Sequence, residues 1–229
     1  MRPIGRIVAV AAAGTMAFGL AACSTSNTSK SGSDAAASGS NSASKEEVTE
    51  QSKDVPAGDG TKTIYLVSKG FQHRFWQAVK EGAEQAGTEF NYKIQFVGPD
   101  DETKVTQQLD QLQAALDTSP AAIGLAALDS GAATPLLTQI ESAGIPLVAF
   151  DSGVDSDLPL TTVSTDNKAA AADAAKHMIE LLDGKTGSVG VICHDATSTT
   201  GKQRCDGFKE YFKANAPEGL KLLEEQIAG

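Results

Sequence analysis

What most constrains this chain is a repeated alternation of short β-rich runs and amphipathic helical stretches, joined by short connections, from Thr61 onward. Ile64-Tyr65-Leu66-Val67-Ser68 is the first β-rich run. A helical stretch over about residues 74–90 follows, with Phe75, Val79, Gly82/Ala83, Ala86 and Phe90 recurring at 3–4 spacing on one face. Residues 92–97 alternate as a strand, and residues 103–117 are helical, with Val105, Leu109, Leu112 and Leu116 as the apolar stripe. Residues 121–128 read as a buried strand. Residues 132–143 read as a helix with Gly144 as its C-cap, and residues 146–150 as a strand. This order predicts a four-stranded parallel sheet with helices on both faces.

After Asp151 a polar segment, 152–160, intervenes and the pattern restarts. Residues 161–164 are extended. A helix over 166–182 takes Asp166 or Thr165 as its N-cap, and a strand over 188–193, a helix over 200–215 and a strand over 220–227 follow. The expected domains are therefore an α/β lobe over 61–160 and a smaller α/β lobe over 161–229. The second has fewer strands and helices than the first, which leaves sheet faces uncovered, and it is expected to be C-terminally incomplete.

The segment ahead of Thr61 carries an address. Arg2 and Arg6 form a positive n-region, residues 7–22 are apolar and alanine-rich, and Leu20-Ala21-Ala22-Cys23 ends the run. Residues 1–22 thus read as an export signal. The cysteine at the cleavage point resembles a bacterial lipobox, which implies a lipid on the Cys23 sulfur. A signal anchor with an incidental cysteine is the alternative. Residues 24–60 hold ten serines and no aromatic residue, and Val48 and Val55 are their only large aliphatics. Such a segment cannot offset its chain entropy by burial and reads as a flexible tether spanning ~35 Å.

Charge narrows the partners. The chain carries a net −10, and residues 61–229 hold 14 basic and 23 acidic side chains, a balance of −9. That disfavours nucleic acid, which needs a basic footprint. No CxxC pair or His/Cys cluster occurs, so no structural metal is expected, and no cofactor motif is evident. Gly184-Lys185-Thr186 follows a helical stretch, has Ile179 where a phosphate loop needs glycine, and reads as a turn. No G-x-S-x-G occurs, and an enzyme is not expected.

In open parallel sheets ligands bind beyond the carboxyl ends of the strands. Those positions hold Ser68-Lys69-Gly70-Phe71-Gln72-His73-Arg74-Phe75-Trp76, then Ala127-Leu128-Asp129-Ser130, Asp151-Ser152 and Cys193-His194-Asp195. The helix that opens after the last carries Lys202, Arg204 and Cys205. Aromatic faces pack on the C–H faces of a sugar ring, and planar Asp and Arg groups hydrogen-bond hydroxyls in pairs. This inventory suits a neutral polyhydroxylated ligand.

The runs VSKGFQHRFWQAVKEGAEQAG, GIPLVAFDS, STDN and TSTTGKQRCDGF resemble the ribose-binding-protein branch of the periplasmic sugar-binding proteins, the type I solute receptors of ABC transporters, over residues 63–229. The resemblance implies two α/β lobes closing on a monosaccharide and hand-over to a membrane permease. It puts Phe75 and Trp76 at the ring-stacking aromatics and His73 at a polar contact. Asp151 falls at the hydroxyl-binding aspartate and Arg204 at the helix-borne arginine. The chain departs from the pattern at Ser152, where many sugar receptors carry Arg, and at Ala126/Ala127, where Asn is frequent. The expected product is a monomeric, lipid-anchored receptor on the outer face of the cytoplasmic membrane or in the periplasm. A sugar sensor serving a chemoreceptor or kinase is the alternative function.

Each position also has an ordinary reading. Trp76 can be a core residue of the first helix, although Phe75 already supplies the core stripe there. His73 can be a helix-start surface residue, Asp151 a turn cap and Arg204 a solvated helix charge. Asp166 and Asn167 read as helix caps. Cys193 and Cys205 lie in an exported chain, where disulfides persist, and a bond and two free thiols both remain open.

Overall fold

The computed structural model describes residues 55–228. Residues 1–22, read above as an export signal, Cys23 and most of the serine-rich segment 24–60 lie outside the described residues. Hydrogen bonding to the body begins just ahead of Thr61. Gly58 N donates to Phe90 O at 2.7 Å, and Asn91 Nδ2 donates back to Gly58 O at 2.9 Å.

The first sheet is parallel throughout, with strands β1 (Thr63–Val67), β2 (Lys93–Val97), β3 (Ala122–Leu125), β4 (Leu147–Phe150) and β5 (Thr162–Val163) in the order β2-β1-β3-β4-β5. It carries one strand more than the four expected. Thr162–Val163, read from sequence as the start of the second lobe, pairs with Ala149–Phe150 instead. Two residues carry too little pattern to show which sheet they join, and β4 offers them an open edge.

Helices α1 (Arg74–Glu89), α2 (Val105–Asp117) and α3 (Thr134–Ser142) connect these strands. Strand side chains alternate between faces. Val67, Ile123, Leu125 and Leu147 meet Leu112, Ala115, Leu116, Leu137 and Ile140 of α2 and α3 in one core. On the other face Leu66 and Phe150 fill the space beside Gly124, and Trp76 of α1 packs edge-on to Phe150.

The buried face of α1 differs from the expected stripe. It centres on Trp76 and Gly87, with Val79, Ala83 and Phe90 of that stripe half-buried, whereas Phe75 and Ala86 are exposed. A Cβ at Gly87 would strike the Ile94 side chain, so glycine is what lets α1 settle onto β2 on this face. At the end of α3, Gly144 has φ +66°, the left-handed C-cap conformation expected of it.

Beyond β5, α4 (Asn167–Leu182) and α5 (Thr199–Asn215) pack together. Gly207 of α5 sits against the Lys168 backbone, where a Cβ could not fit. Asp166 caps α4 as expected, accepting from Ala169 N at 3.0 Å. The expected strands 188–193 and 220–227 each appear as two pieces. Strand β6 (Gly187–Val189) pairs in parallel with β8 (Leu220–Leu222), and β7 (Ile192–Cys193) with β9 (Gln226–Ile227). The breaks fall at Gly190 and at Glu224-Glu225, where apolar alternation lapses. Ile192 of β7 is 77% exposed.

Candidate functional site

The carboxyl ends of β1, β2, β4 and β7 converge on one cavity of about 360 Å3, lined by Lys69, His73, Phe75, Trp76, Glu102, Asp151, His194 and Arg204. All five residues singled out from sequence as ligand contacts lie in this lining: His73, Phe75, Trp76, Asp151 and Arg204. A larger cleft of about 490 Å3, bordered by Thr61, Tyr65, Gln95 and Ser119, sits at the opposite, amino ends of β1–β3. It lacks a cluster of opposed charges and falls where open parallel sheets do not bind ligands.

The backbone shapes the rim. Gln108 of α2 is buried, and its Nε2 donates to both Ser68 O and Ala126 O at 2.8 Å. Its Oε1 accepts from Leu128 N at 2.9 Å. One side chain thus ties together the loops leaving β1 and β3. At the end of β4, Asp151 has φ +56°, a left-handed conformation that costs a non-glycine residue roughly 1–3 kcal/mol and concentrates at functional sites. The neighbouring Ser152, where the resemblance leads one to expect arginine, is fully buried, and its Oγ has no hydrogen-bond partner among the described residues.

Lys69, Asp151, Glu102 and His194 form a connected set in the cavity. Lys69 is buried, with Nζ 3.4 Å from Asp151 Oδ2 and 4.0 Å from Glu102 Oε2, and it donates to Thr200 Oγ1 at 2.9 Å. Glu102 Oε1 accepts from Trp76 Nε1 at 2.9 Å, and its Oε2 lies 3.0 Å from His194 Nε2. Burial pushes the Glu102 carboxyl up, but the Trp76 N–H, the Lys69 charge and His194 outweigh it and hold the group below the usual carboxylate range. Arg204 Nε donates to Asn167 Oδ1 at 2.7 Å, which ties the guanidinium to the start of α4.

The two aromatics reverse their expected burial. Trp76 is 2% exposed, held edge-on by Phe75 at 4.8 Å and by Phe150 at 6.4 Å between ring centroids. Phe75 is 47% exposed and offers the freer ring. The ordinary reading of Trp76 as a core residue is therefore met while part of it still lines the cavity. His73 likewise caps α1, its Nδ1 accepting from Phe75 N at 3.2 Å, and lines the cavity as well.

Lys69, Glu102 and His194 were not singled out from sequence. Lys69 and His194 stand at strand ends that the carboxyl-end rule points to, but charge alone does not show which side chains turn inward. Glu102 follows β2, and the same rule applied there finds it. No cluster of three metal-ligating side chains occurs among the described residues. Cys193 and Cys205 form a disulfide, with Cα atoms 5.4 Å apart.

The sequence model of the periplasmic binding protein domain matches residues 64–229. A D-ribose/D-allose-binding protein of Pseudomonas aeruginosa is 27% identical over 172 residues, which cover 71% of this chain and 52% of that protein. Among solved structures, an ABC-transporter solute-binding protein from Agrobacterium vitis with bound D-fucose superposes with a TM-score of 0.67 at 31% identity, over 72% of this chain and 57% of that one. A carbohydrate-transporter solute-binding protein from Agrobacterium radiobacter in complex with D-arabinose gives 0.68 at 30% identity, over 73% and 57%. The chain spans about half the length of the curated relatives it matches. Parallel sheets flanked by helices, a cavity at their carboxyl ends and the match over residues 64–229 lead to one conclusion: the chain belongs to the periplasmic binding protein family.

Proposed function

We propose that this chain is an extracytoplasmic receptor for a neutral monosaccharide, that it delivers its ligand to an ABC import permease, and that it performs no catalysis. The reading rests on one observation. A cavity of about 360 Å3, near the lower end of the ~300–1,000 Å3 typical of small-molecule sites, brings an exposed aromatic ring together with carboxylates and cations that already balance one another. Lys69 is paired with Asp151 and Glu102, and Arg204 brings the lining to two cations against two carboxylates. An anionic ligand would add a third negative charge beside Asp151 and Glu102, and a cationic one a third positive charge beside Lys69 and Arg204, which is costly in a buried site. A polyol exchanges hydrogen bonds with them and upsets no charge balance. Phe75 supplies an apolar face for ring C–H groups. The sugars in the descriptions of the relatives, D-ribose, D-allose, D-fucose and D-arabinose, are all uncharged. The same reading includes monomeric action at the outer face of the cytoplasmic membrane, tethered by lipid on Cys23.

Calorimetry of the purified chain against D-ribose, D-allose, D-fucose and D-arabinose, with D-glucuronate as a charged control, tests it. Asp151→Ala and Arg204→Ala should each weaken the best neutral ligand roughly ten- to a hundredfold, the ~1.5–3 kcal/mol of a charge-assisted hydrogen bond. Preference for the uronate, or parent-like binding by both variants and by Phe75→Ala, would refute it.

A further inference from the structure

The Cys193–Cys205 disulfide encloses a short ring of chain. Cys193 ends β7 and Cys205 lies in α5, so the ring contains residues 194–204: the loop between these elements and the first turns of the helix. Two of the enclosed residues, His194 and Arg204, line the cavity and are the immediate neighbours of the two cysteines.

The same ring reaches across to the first sheet. His194 Nε2 bonds Glu102 Oε2 at 3.0 Å, and Thr200 Oγ1 accepts from Lys69 Nζ at 2.9 Å. Thr197 Oγ1 donates to Leu128 O at 3.1 Å, and Thr197 O accepts from Ser130 N at 3.2 Å. Lys202 Nζ donates to Ser130 Oγ at 3.2 Å, and Thr199 Oγ1 to Gly153 O at 3.4 Å. Inside the ring, Asp195 accepts from Thr197 N, Ser198 N and Ser198 Oγ, and Ser198 Oγ caps α5 by accepting from Gly201 N at 3.0 Å. A Cβ at Gly201 would strike the Asp195 carboxylate, so the turn is closely packed as well as covalently closed.

We propose that the Cys193–Cys205 disulfide is a positioning element of the sugar site: it restrains the 194–204 ring so that His194 and Arg204 reach the cavity and the ring stays clasped to the first sheet. This rests on the sugar-receptor reading above. A cross-link acts chiefly by removing conformations from the open chain. When the bond is open, the ring samples unclasped conformations, and apparent affinity falls by the fraction of molecules still clasped. Only contacts made by the ring are lost. The core of α2 and α3 against the first sheet, which no ring residue joins, is unaffected.

The test compares the oxidised chain, the chain reduced with tris(2-carboxyethyl)phosphine, and Cys193→Val/Cys205→Ala. Reduction gives two thiols and the phosphine oxide, with water supplying the oxygen and both protons. If the competent fraction drops to about one in ten, opening the bond weakens the best neutral sugar roughly tenfold with far-UV ellipticity unchanged. Arg204→Ala should weaken binding by the same factor in both forms, because only clasped molecules bind and the clasped fraction scales parent and variant alike. A role in stability alone would lower the melting temperature and leave affinity unchanged, which would overturn the proposal. Loss of far-UV ellipticity on reduction would overturn it too, since the bond would then hold the fold and not the site.

A second readout needs no ligand. Trp76 is the sole tryptophan, and its Nε1 bonds Glu102, which bonds His194. Reduction should shift its emission in the same direction as His194→Ala and add little in that variant. If no sugar binds either form, the sugar reading fails, and the Trp76 emission still decides the positioning role: emission indifferent to reduction would end it.

Discussion

Replacing Lys69 with methionine is the sharpest probe of the site's electrostatics. Methionine keeps the length and most of the volume of the lysine stem, so packing changes little. The charge is lost where it is hardest to replace. The Lys69 side chain is 5% exposed, and the carboxylates it faces, Asp151 and Glu102, are 13% and 30% exposed. Breaking a fully buried pair from one side costs ~3–5 kcal/mol. Water reaches these carboxylates through the cavity, which brings the expectation to about 2–3 kcal/mol. A domain of this size loses ~2–4 °C of melting temperature per kcal/mol, so Lys69→Met should melt roughly 4–12 °C lower at pH 7. The partner is checked by a cycle. Asp151→Asn removes one stranded charge, so Lys69→Met/Asp151→Asn should be more stable than Lys69→Met alone. Urea and thermal unfolding of the four proteins supply the numbers. A drop below 2 °C for Lys69→Met, or strict additivity in the cycle, would show that Lys69 is not the counter-charge of this site.

Gly87→Ala should destabilise by about 1–3 kcal/mol despite alanine's better helix propensity, because the new methyl meets Ile94 and the Tyr92 carbonyl; urea midpoints would show it. Glu102 has a depressed carboxyl pKa in the folded state, so it contributes stability that is present above the ordinary carboxylate range and lost as pH falls through its lower folded value. Melting temperatures from pH 6 to pH 3 should therefore fall less steeply for Glu102→Gln than for the parent. Cys23→Ala should release the protein from the membrane fraction of the producing cell, and unchanged retention would remove the lipid tether from the proposal.

Much of the architecture was legible because periodicity is a local property. The stripe Leu109-Leu112-Leu116 announced α2, and the spacing of β-rich runs by helical stretches announced a parallel sheet. The face of α1 was legible only in part: Val79, Ala83 and Phe90 of the stripe turn inward, but Phe75 does not. Phe75 and Trp76 are adjacent aromatics, and hydrophobicity cannot choose between two faces separated by a single residue's rotation. The choice was made by Gly87, whose missing side chain admits Ile94 on the Trp76 side. The same holds for β5, whose two residues join the first sheet because Ala149 and Phe150 present unpaired backbone groups to them.

By itself the sequence determined the order of elements, the rim on which ligand contacts gather and five of the residues that line the cavity there. Each follows from local pattern combined with one rule about the carboxyl ends of parallel strands. Only the tertiary structure decided that Lys69 turns inward between Asp151 and Glu102, that Trp76 is sealed while Phe75 is open, and that Cys193 and Cys205 are close enough to bond. These are outcomes of long-range packing. A buried charge is tolerated only where opposite charges from other strands surround it, and a disulfide forms only where two elements bring Cα atoms within bonding range, conditions that no spacing along the chain encodes.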